Sequence, residues 1–447
     1  MTNWENFCKQ FSTVLREDES LSSIRLELYL AGSRSYVKVI GNLLMVILKI
    51  FLFHLKKEIS PQHLNYQNVY FIDSTSPSDI ENLISLLAED KRTFLVMINS
   101  EVERSNAFAK IKEQIEYINY ENYISLDPKY FLKTFSLSVL ISKHMNCNFL
   151  NVFNLVLKHF SVKDALDQII STIAVKNIFL SNDTLLPSSL ATHLAKKNGI
   201  QDYILQQGFL AEFYLPVTGT NYIVWGGKAR EWLESKNVKI NILPLGSPRL
   251  DAVVTVKANA TKLKQKFYDD YQIDNNKYIF LYMSHSHAPE FKEELHQRNF
   301  ESLIRVIENK NYQLIIKLHP AENTALFDKV FKPYKDKVIL LPKNANLYNT
   351  IISSKICASA YSTTIIEAMC LEVPTIQMNM LKEKRLPDYS VREGCISVTN
   401  ENQLDTVLEK TNFVKELDRQ KKFTNLYFNN FGNASRTIHN HVSSRVV

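Results

Sequence analysis

The sequence predicts an α/β protein made of two doubly wound, parallel-sheet domains. Short apolar runs alternate with amphipathic stretches along most of the chain, which is how strands and crossover helices of a parallel sheet read. The length of 447 residues exceeds one ordinary hydrophobic core and suits two. With 45% hydrophobic and 22% charged residues, the composition is that of a globular chain rather than a disordered one. The expected division is 1–255, 256–430, and a terminal helix at 431–447.

Residues Tyr29 to Ser35 read as an opening strand and turn. Val37 to Leu55 is nearly all apolar, but Lys38, Asn42 and Lys49 interrupt it and Lys56 and Lys57 close it. That is less than the roughly 20 apolar residues of a spanning helix, so the run reads as a buried or interface helix, or as one lying on a membrane surface, with a true span left as the remaining alternative. Strands follow at Val69 to Ile72 and Thr93 to Ile98, with a helix start at Ser76 to Asp79 between them. Glu101 to Phe160 reads as mostly helical. The strand Asn177 to Leu180 precedes a helix, Ser188 to Lys197, that stops at Asn198 and Gly199. Strands at Tyr203 to Leu205, Tyr222 to Trp225 and Ile242 to Leu245 complete the first half, with a helix at Lys228 to Ser235. Lys257 to Lys277 is charged and reads as an interdomain helix and linker.

The second half opens with the strand Tyr278 to Met283 and the helix Glu290 to Asn309. Strands at Tyr312 to Ile316, Val338 to Leu341, Lys355 to Ala358 and up to Met378 then alternate with helices at Asp328 to Lys337, Asn346 to Ser353 and Thr364 to Leu371. Leu381 to Arg392 reads as a basic surface loop, and the chain is helical from Glu401 onward.

Two polar interruptions in this half carry the chemistry. One is Lys317-Leu318-His319-Pro320, and the other is Ala358 to Thr364. Ligands of open parallel sheets bind beyond the carboxyl ends of strands, so both fall on one edge. A helix start leaves backbone N–H groups unpaired and partly positive. Ser362, Thr363 and Thr364 surround that start with hydroxyls, so a phosphate or carboxylate can dock there. His319 adds a donor, Lys317 a charge, Pro320 a helix start, and Glu367 an acceptor for a sugar hydroxyl. Each also has a plainer role: an N-cap for Ser362, a structural hydrogen bonder for His319, a solvated helix residue for Glu367. Ser284-His285-Ser286-His287 ends the first strand of this half and reads as a contact to a donor phosphate or acceptor, or as a polar loop. Its two histidines have no third ligand at matching spacing, so no metal is expected.

The formal charge of +7 suits anionic nucleotides, anionic glycans or a lipid surface better than DNA, and no nucleic-acid partner is expected. Only ten glycines occur, none in a dinucleotide-binding or P-loop arrangement. Five cysteines without a CxxC pair read as reduced thiols of a cytosolic protein, and Met1 to Glu19 is too polar for a signal peptide.

The run Ser362 to Ile376, with its Glu367-Ala368-Met369 and its turn at Pro374, resembles the donor-binding half of GT-B glycosyltransferases. Lys317 to Pro320 is similar to the His-Pro motif of bacterial sialyltransferases and polysialyltransferases, and to that of CDP-polyol phosphotransferases. Gln206-Gln207-Gly208 stands where similar surface-polysaccharide enzymes often have Gln-His-Gly, so Gln207 replaces the His. Gly246 to Asp251 resembles a Gly-x-Pro-Arg-x-Asp turn at the domain junction, with Arg249 reaching a phosphate or pairing with Asp251. The resemblance covers Asn221 to Met378.

It implies two Rossmann-like domains (GT-B) with a cleft between them and a C-terminal crossover helix. It further implies a metal-independent glycosyltransferase without a cofactor, cytoplasmic or peripheral on the inner face of the membrane. Such an enzyme would move a CMP-activated acidic sugar (sialic acid or Kdo-like) from a nucleotide-sugar donor to a glycan or glycolipid acceptor in surface polysaccharide, capsule or lipooligosaccharide synthesis. The open alternatives are a CDP-polyol phosphotransferase, a UDP-sugar transferase or 2-epimerase of related fold, and a non-catalytic nucleotide-sugar-binding scaffold. Asp183, at a strand end of the first domain, is the first expectation for the general base, and Glu212 the second.

Overall fold

The computed structural model describes residues 66–444 apart from 75–76, 90–93, 125–128, 146, 174, 211, 285–292, 309, 320–333, 335–336 and 384–393, together with residues 11 and 21. The expectations at Tyr29 to Ser35 and Val37 to Leu55, and those for His285, His287 and Pro320, therefore lie outside the described residues. So does most of the basic helix at 328–337 and of the loop at 381–392. The chain forms two compact units, Met1–Arg249 with Asn433–Val447, and Leu250–Gly432.

The first unit holds a seven-stranded sheet in the order β3-β2-β1-β4-β5-β6-β7. Its strands are β1 (Asn68–Ile72), β2 (Phe94–Ile98), β3 (Tyr117–Asn119), β4 (Asn177–Leu180), β5 (Gln201–Leu205), β6 (Asn221–Ile223) and β7 (Asn241–Leu243). Every pairing is parallel. Such a sheet is covered by helices on both faces, which is why β1 and β2 are buried at all five positions instead of alternating. Successive side chains still part to opposite faces. Val69, Phe71, Leu95, Met97, Ile178 and Leu180 enter one core layer, and Tyr70, Ile72, Val96, Ile98 and Phe179 the other. The last helix, Ala434–Ser443, adds Ile438 and Val442 to that second layer, while Arg436 pairs with Glu89 at 3.3 Å.

The second unit holds a six-stranded sheet in the order β10-β9-β8-β11-β12-β13. Its strands are β8 (Tyr278–Met283), β9 (Tyr312–Lys317), β10 (Val338–Leu341), β11 (Ile356–Ser359), β12 (Thr375–Met378) and β13 (Ile396–Val398), again all parallel. Asn299 is wholly buried and ties the layers together. Its amide donates to the Tyr282 hydroxyl (3.2 Å) and the Met378 carbonyl (3.1 Å) and accepts from the Met380 N–H (3.1 Å). Asn148, Asn346, Asn400 and Asn412 each cap the helix that follows by accepting first-turn N–H groups.

Two strands depart from the sequence expectation. β3 lies within the stretch read as helical, and β13 follows the loop read after Met378. Both are three-residue edge strands, too short for an apolar run to stand out.

Gly219, in the turn before β6, tests how tightly this framework is packed. Its N–H donates to Asp183 at 3.0 Å, and a β-carbon there would lie 2.7 Å from both Asp202 Oδ2 and Ile204 Cγ1. Gly219→Ala is expected to lower stability by about 1–3 kcal/mol, read as a lower urea midpoint; an unchanged midpoint would show that the turn yields freely.

Candidate functional site

In each sheet the strand order reverses at one place, between β1 and β4 in the first and between β8 and β11 in the second. Connections leave such a switch point in opposite directions and open a crevice beyond the carboxyl ends of the strands. Polar side chains gather at both.

At the second switch point, β8, β9 and β11 end in Ser284, Lys317 to His319, and Ala360 to Thr363. The Ser284 N–H donates to the Lys317 carbonyl at 3.0 Å, and the His319 N–H donates to Ser284 Oγ at 2.7 Å, so the β8–β9 ladder continues past its last pair, Met283 and Lys317. The Lys317 ammonium is buried and donates to the Lys343 carbonyl, just beyond β10, at 3.2 Å. The His319 imidazole is half-buried. Burial holds its pKa below the ordinary value, and the charges of Lys317 and Lys343 push the same way. At neutral pH it is therefore an uncharged ring with one donor and one acceptor nitrogen.

On β11, Ala358 pairs with Tyr282, so Ala360 lies level with Ser284. Gln377 donates to the Ala360 carbonyl at 2.8 Å and holds this loop. Ser362 Oγ accepts from the Thr364 N–H (3.3 Å) and the Thr364 hydroxyl (2.8 Å), which leaves its own proton to donate elsewhere. Thr363 occupies the N-cap position of the helix Thr364–Cys370 without a side-chain capping bond. Glu367 is buried on that helix. Hydrogen bonds thus join Ser284, Lys317 and His319, and the Ser362 loop stands on the adjacent strand.

The first switch point is acidic. Asp73 follows β1, and its carboxylate accepts from Ser188 Oγ (2.5 Å) and Asn182 Nδ2 (3.4 Å), while its carbonyl accepts from Asn99 Nδ2 (3.0 Å). Part of Asp73 reaches solvent, yet the protein crowds it. Burial, joined by the nearby Asp79 charge, pushes its pKa from 3.8 to about 6 against the pull of Ser188 and Asn182. Asp79 is buried and also raised by burial. It accepts from Ser74 Oγ (2.5 Å) and from the Gln207 amide, and Arg249 lies near enough to oppose the shift. Arg249 belongs to this unit: its guanidinium lies 5.7 Å from the Trp225 ring centre and its backbone N–H donates to Asn82 Oδ1 at 3.0 Å.

Asp183 is buried, and its Oδ2 accepts from the N–H groups of Thr218 (2.5 Å) and Gly219 (3.0 Å) and from the Thr218 hydroxyl (3.1 Å). That carboxylate holds a turn. Glu212 is exposed on a short 3-10 turn, 3.0 Å from the Lys236 ammonium. Sequence reasoning passed over Asp73, Asn182 and Ser188. The available signal was the place of Asp73 directly after the strand β1.

A protein-family model described as UDP-N-acetylglucosamine 2-epimerase matches residues 222–443, a little under half of the chain. No curated protein sequence matches. Among solved structures, the wall teichoic acid polymerase TagF is 13% identical with a TM-score of 0.54, covering 92% of this chain and 100% of that one. UDP-GlcNAc 2-epimerase from Neisseria meningitidis, bound to UDP-GlcNAc, is 14% identical with a TM-score of 0.55, covering 85% and 100%. The S. aureus MnaA–UDP structure is 14% identical with a TM-score of 0.56, covering 85% and 97%. These likenesses establish the fold: an α/β protein of two parallel-sheet units, similar to GT-B-type proteins that include sugar-nucleotide epimerases and a teichoic acid polymerase.

Proposed function

We propose that this chain is an enzyme that binds a nucleotide-activated sugar at the β8–β9–β11 edge and transfers the sugar to a glycan acceptor. The observation that carries the reading is the convergence of Ser284, Lys317, His319 and Ser362 at one switch point of a parallel sheet. Burial keeps His319 neutral, and the positive field of Lys317 and Lys343, which pushes the same way, favours an anion. A phosphate entering it finds the Ser362 proton and a His319 N–H, donors that stabilise charge on a departing nucleotide. Buried Glu367, on the helix after Ser362, suits a ribose hydroxyl. The first donor to test is a CMP-activated acidic sugar, whose carboxylate adds a second anionic group for the same cations.

In the first unit the general base is Asp73 rather than Asp183 or Glu212. Asp183 is occupied by its turn and Glu212 is in open solvent, whereas Asp73 is partly accessible with a pKa near neutrality, which is what proton abstraction from a hydroxyl requires.

A second reading has its own support: the family match over 222–443 and the epimerase structures favour a sugar-nucleotide 2-epimerase. Incubation with UDP-GlcNAc alone separates the two, because an epimerase gives a new sugar or free UDP with no acceptor present.

In a melting-point series with CMP, CDP, UDP and GDP, the preferred nucleotide is expected to stabilise by about 3 kcal/mol at a hundred times its Kd. His319→Ala and the pair Ser362→Ala with Thr363→Ala are each expected to abolish this shift and the transfer, leaving the unliganded melting point unchanged. Undiminished shifts in both variants would refute the site.

For Asp73, the folded chain binds more protons than the unfolded one between about pH 4 and pH 6, so its ionisation makes stability fall as pH rises through that window. Asp73→Asn is therefore expected to be more stable than the parent at neutral pH, by up to about 3 kcal/mol, with the gain vanishing near pH 4. The same variant is expected to lose roughly a hundredfold or more in turnover. Full turnover with the altered pH profile would remove Asp73 from catalysis.

A further inference from the structure

The helix Lys129–Met145 packs against the helix Phe149–Thr172 with an unusual distribution of side chains. Its inner face encloses the hydroxyls of Thr134 and Ser138 completely, beside Leu137 and Ile141. Its outer face exposes Phe131 (49%), Leu132 (77%), Phe135 (50%) and Val139 (47%). Phe131 and Phe135 meet Phe153 and Phe149 edge-on, each pair with ring centres 5.5 Å apart, so the apolar surface extends onto the second helix. Helices facing water carry the opposite arrangement, polar outside and apolar inside. Single exposed apolar residues need no explanation, but a contiguous patch at helical spacing marks a surface that meets something apolar.

Charge identifies that partner. From Pro128 to Lys163 the chain has five lysines and no Asp or Glu. Lys133, Lys143 and Lys158 are exposed around the patch. Apolar side chains framed by cations match an anionic lipid surface, where rings and aliphatic groups enter the acyl boundary and ammonium groups stay among the headgroups. No helix among the described residues is long and apolar enough to cross a membrane.

We propose that the outer face of the helix Lys129–Met145, with Phe131, Leu132, Phe135 and Val139 ringed by lysines, docks this chain on an anionic membrane. This reading is independent of the nucleotide site and is tested without substrate.

The full chain is expected to co-sediment with phosphatidylcholine vesicles that contain phosphatidylglycerol, and less with phosphatidylcholine alone. Added salt should weaken the binding. The variant Phe131→Ser, Leu132→Ser, Phe135→Ser is expected to bind about tenfold more weakly with its melting point retained, because all three side chains are already exposed. Lys133→Glu with Lys143→Glu leaves the apolar face intact and should remove the preference for phosphatidylglycerol, so the proposal remains testable if the triple variant misfolds. Leu132→Trp should shift its fluorescence to the blue on adding the same vesicles. Absence of vesicle binding, or undiminished binding by the variants, would overturn the proposal. So would a dimer in light scattering that the triple variant turns into a monomer, since the face would then belong to a second copy.

Discussion

Parallel pairing of every described strand is the constraint on which both units depend. Strands covered on both faces cannot carry unsatisfied polar groups inside, because each would lose its hydrogen bonds to water without replacement. Polar side chains are therefore pushed to the strand ends, and parallel strands all end on the same side. A reversal of strand order then separates two neighbouring loops and leaves room for a ligand. The arrangement occurs twice in this chain, between β1 and β4 and between β8 and β11.

The two edges differ in charge. Beyond β9, Lys317 and Lys343 crowd a histidine that burial already keeps neutral, a setting that gains from an incoming anion. Beyond β1 and β4 three aspartates sit in different surroundings. Asp183 accepts two backbone N–H groups and a hydroxyl, so its charge is matched by fixed dipoles. Asp79 has Ser74, Gln207 and the nearby Arg249. Asp73 has Ser188 and a long bond from Asn182, with the Asp79 charge opposing its ionisation. The least compensated carboxylate is also one with solvent access, and that combination separates a reactive group from a structural one.

Much of this was legible in the amino-acid order. Val69 to Ile72, Tyr278 to Met283 and Tyr312 to Ile316 stand out because a doubly covered strand must be apolar at consecutive positions. His319 and Ser362 could be placed on one edge because strand ends in a parallel sheet share a side. β3 and β13 escaped because three residues give no period and an edge strand is covered less completely. Asp73 escaped for another reason. Beyond its place at the end of β1 nothing nearby marks it, since Asn182 and Ser188, which hold its carboxylate, lie 109 and 115 residues further along the chain. Asp183 appeared more promising in sequence than in space because the turn it holds, at Thr218 and Gly219, lies 35 residues away and has no motif.

Gln207 links these points. The sequence resemblance implies a histidine at this position, which would give the edge a group that titrates near neutrality. The Gln207 amide donates to Asp79, which an imidazole N–H could equally do, but an amide cannot take up a proton. Holding Asp79 and exchanging protons are thus separable tasks, and glutamine performs only the first. If proton transfer is retained at this edge, it must fall to a group whose own pKa has moved toward neutrality. Asp73 meets that requirement, and the Asp79 charge that Gln207 helps to hold is among the causes of its shift.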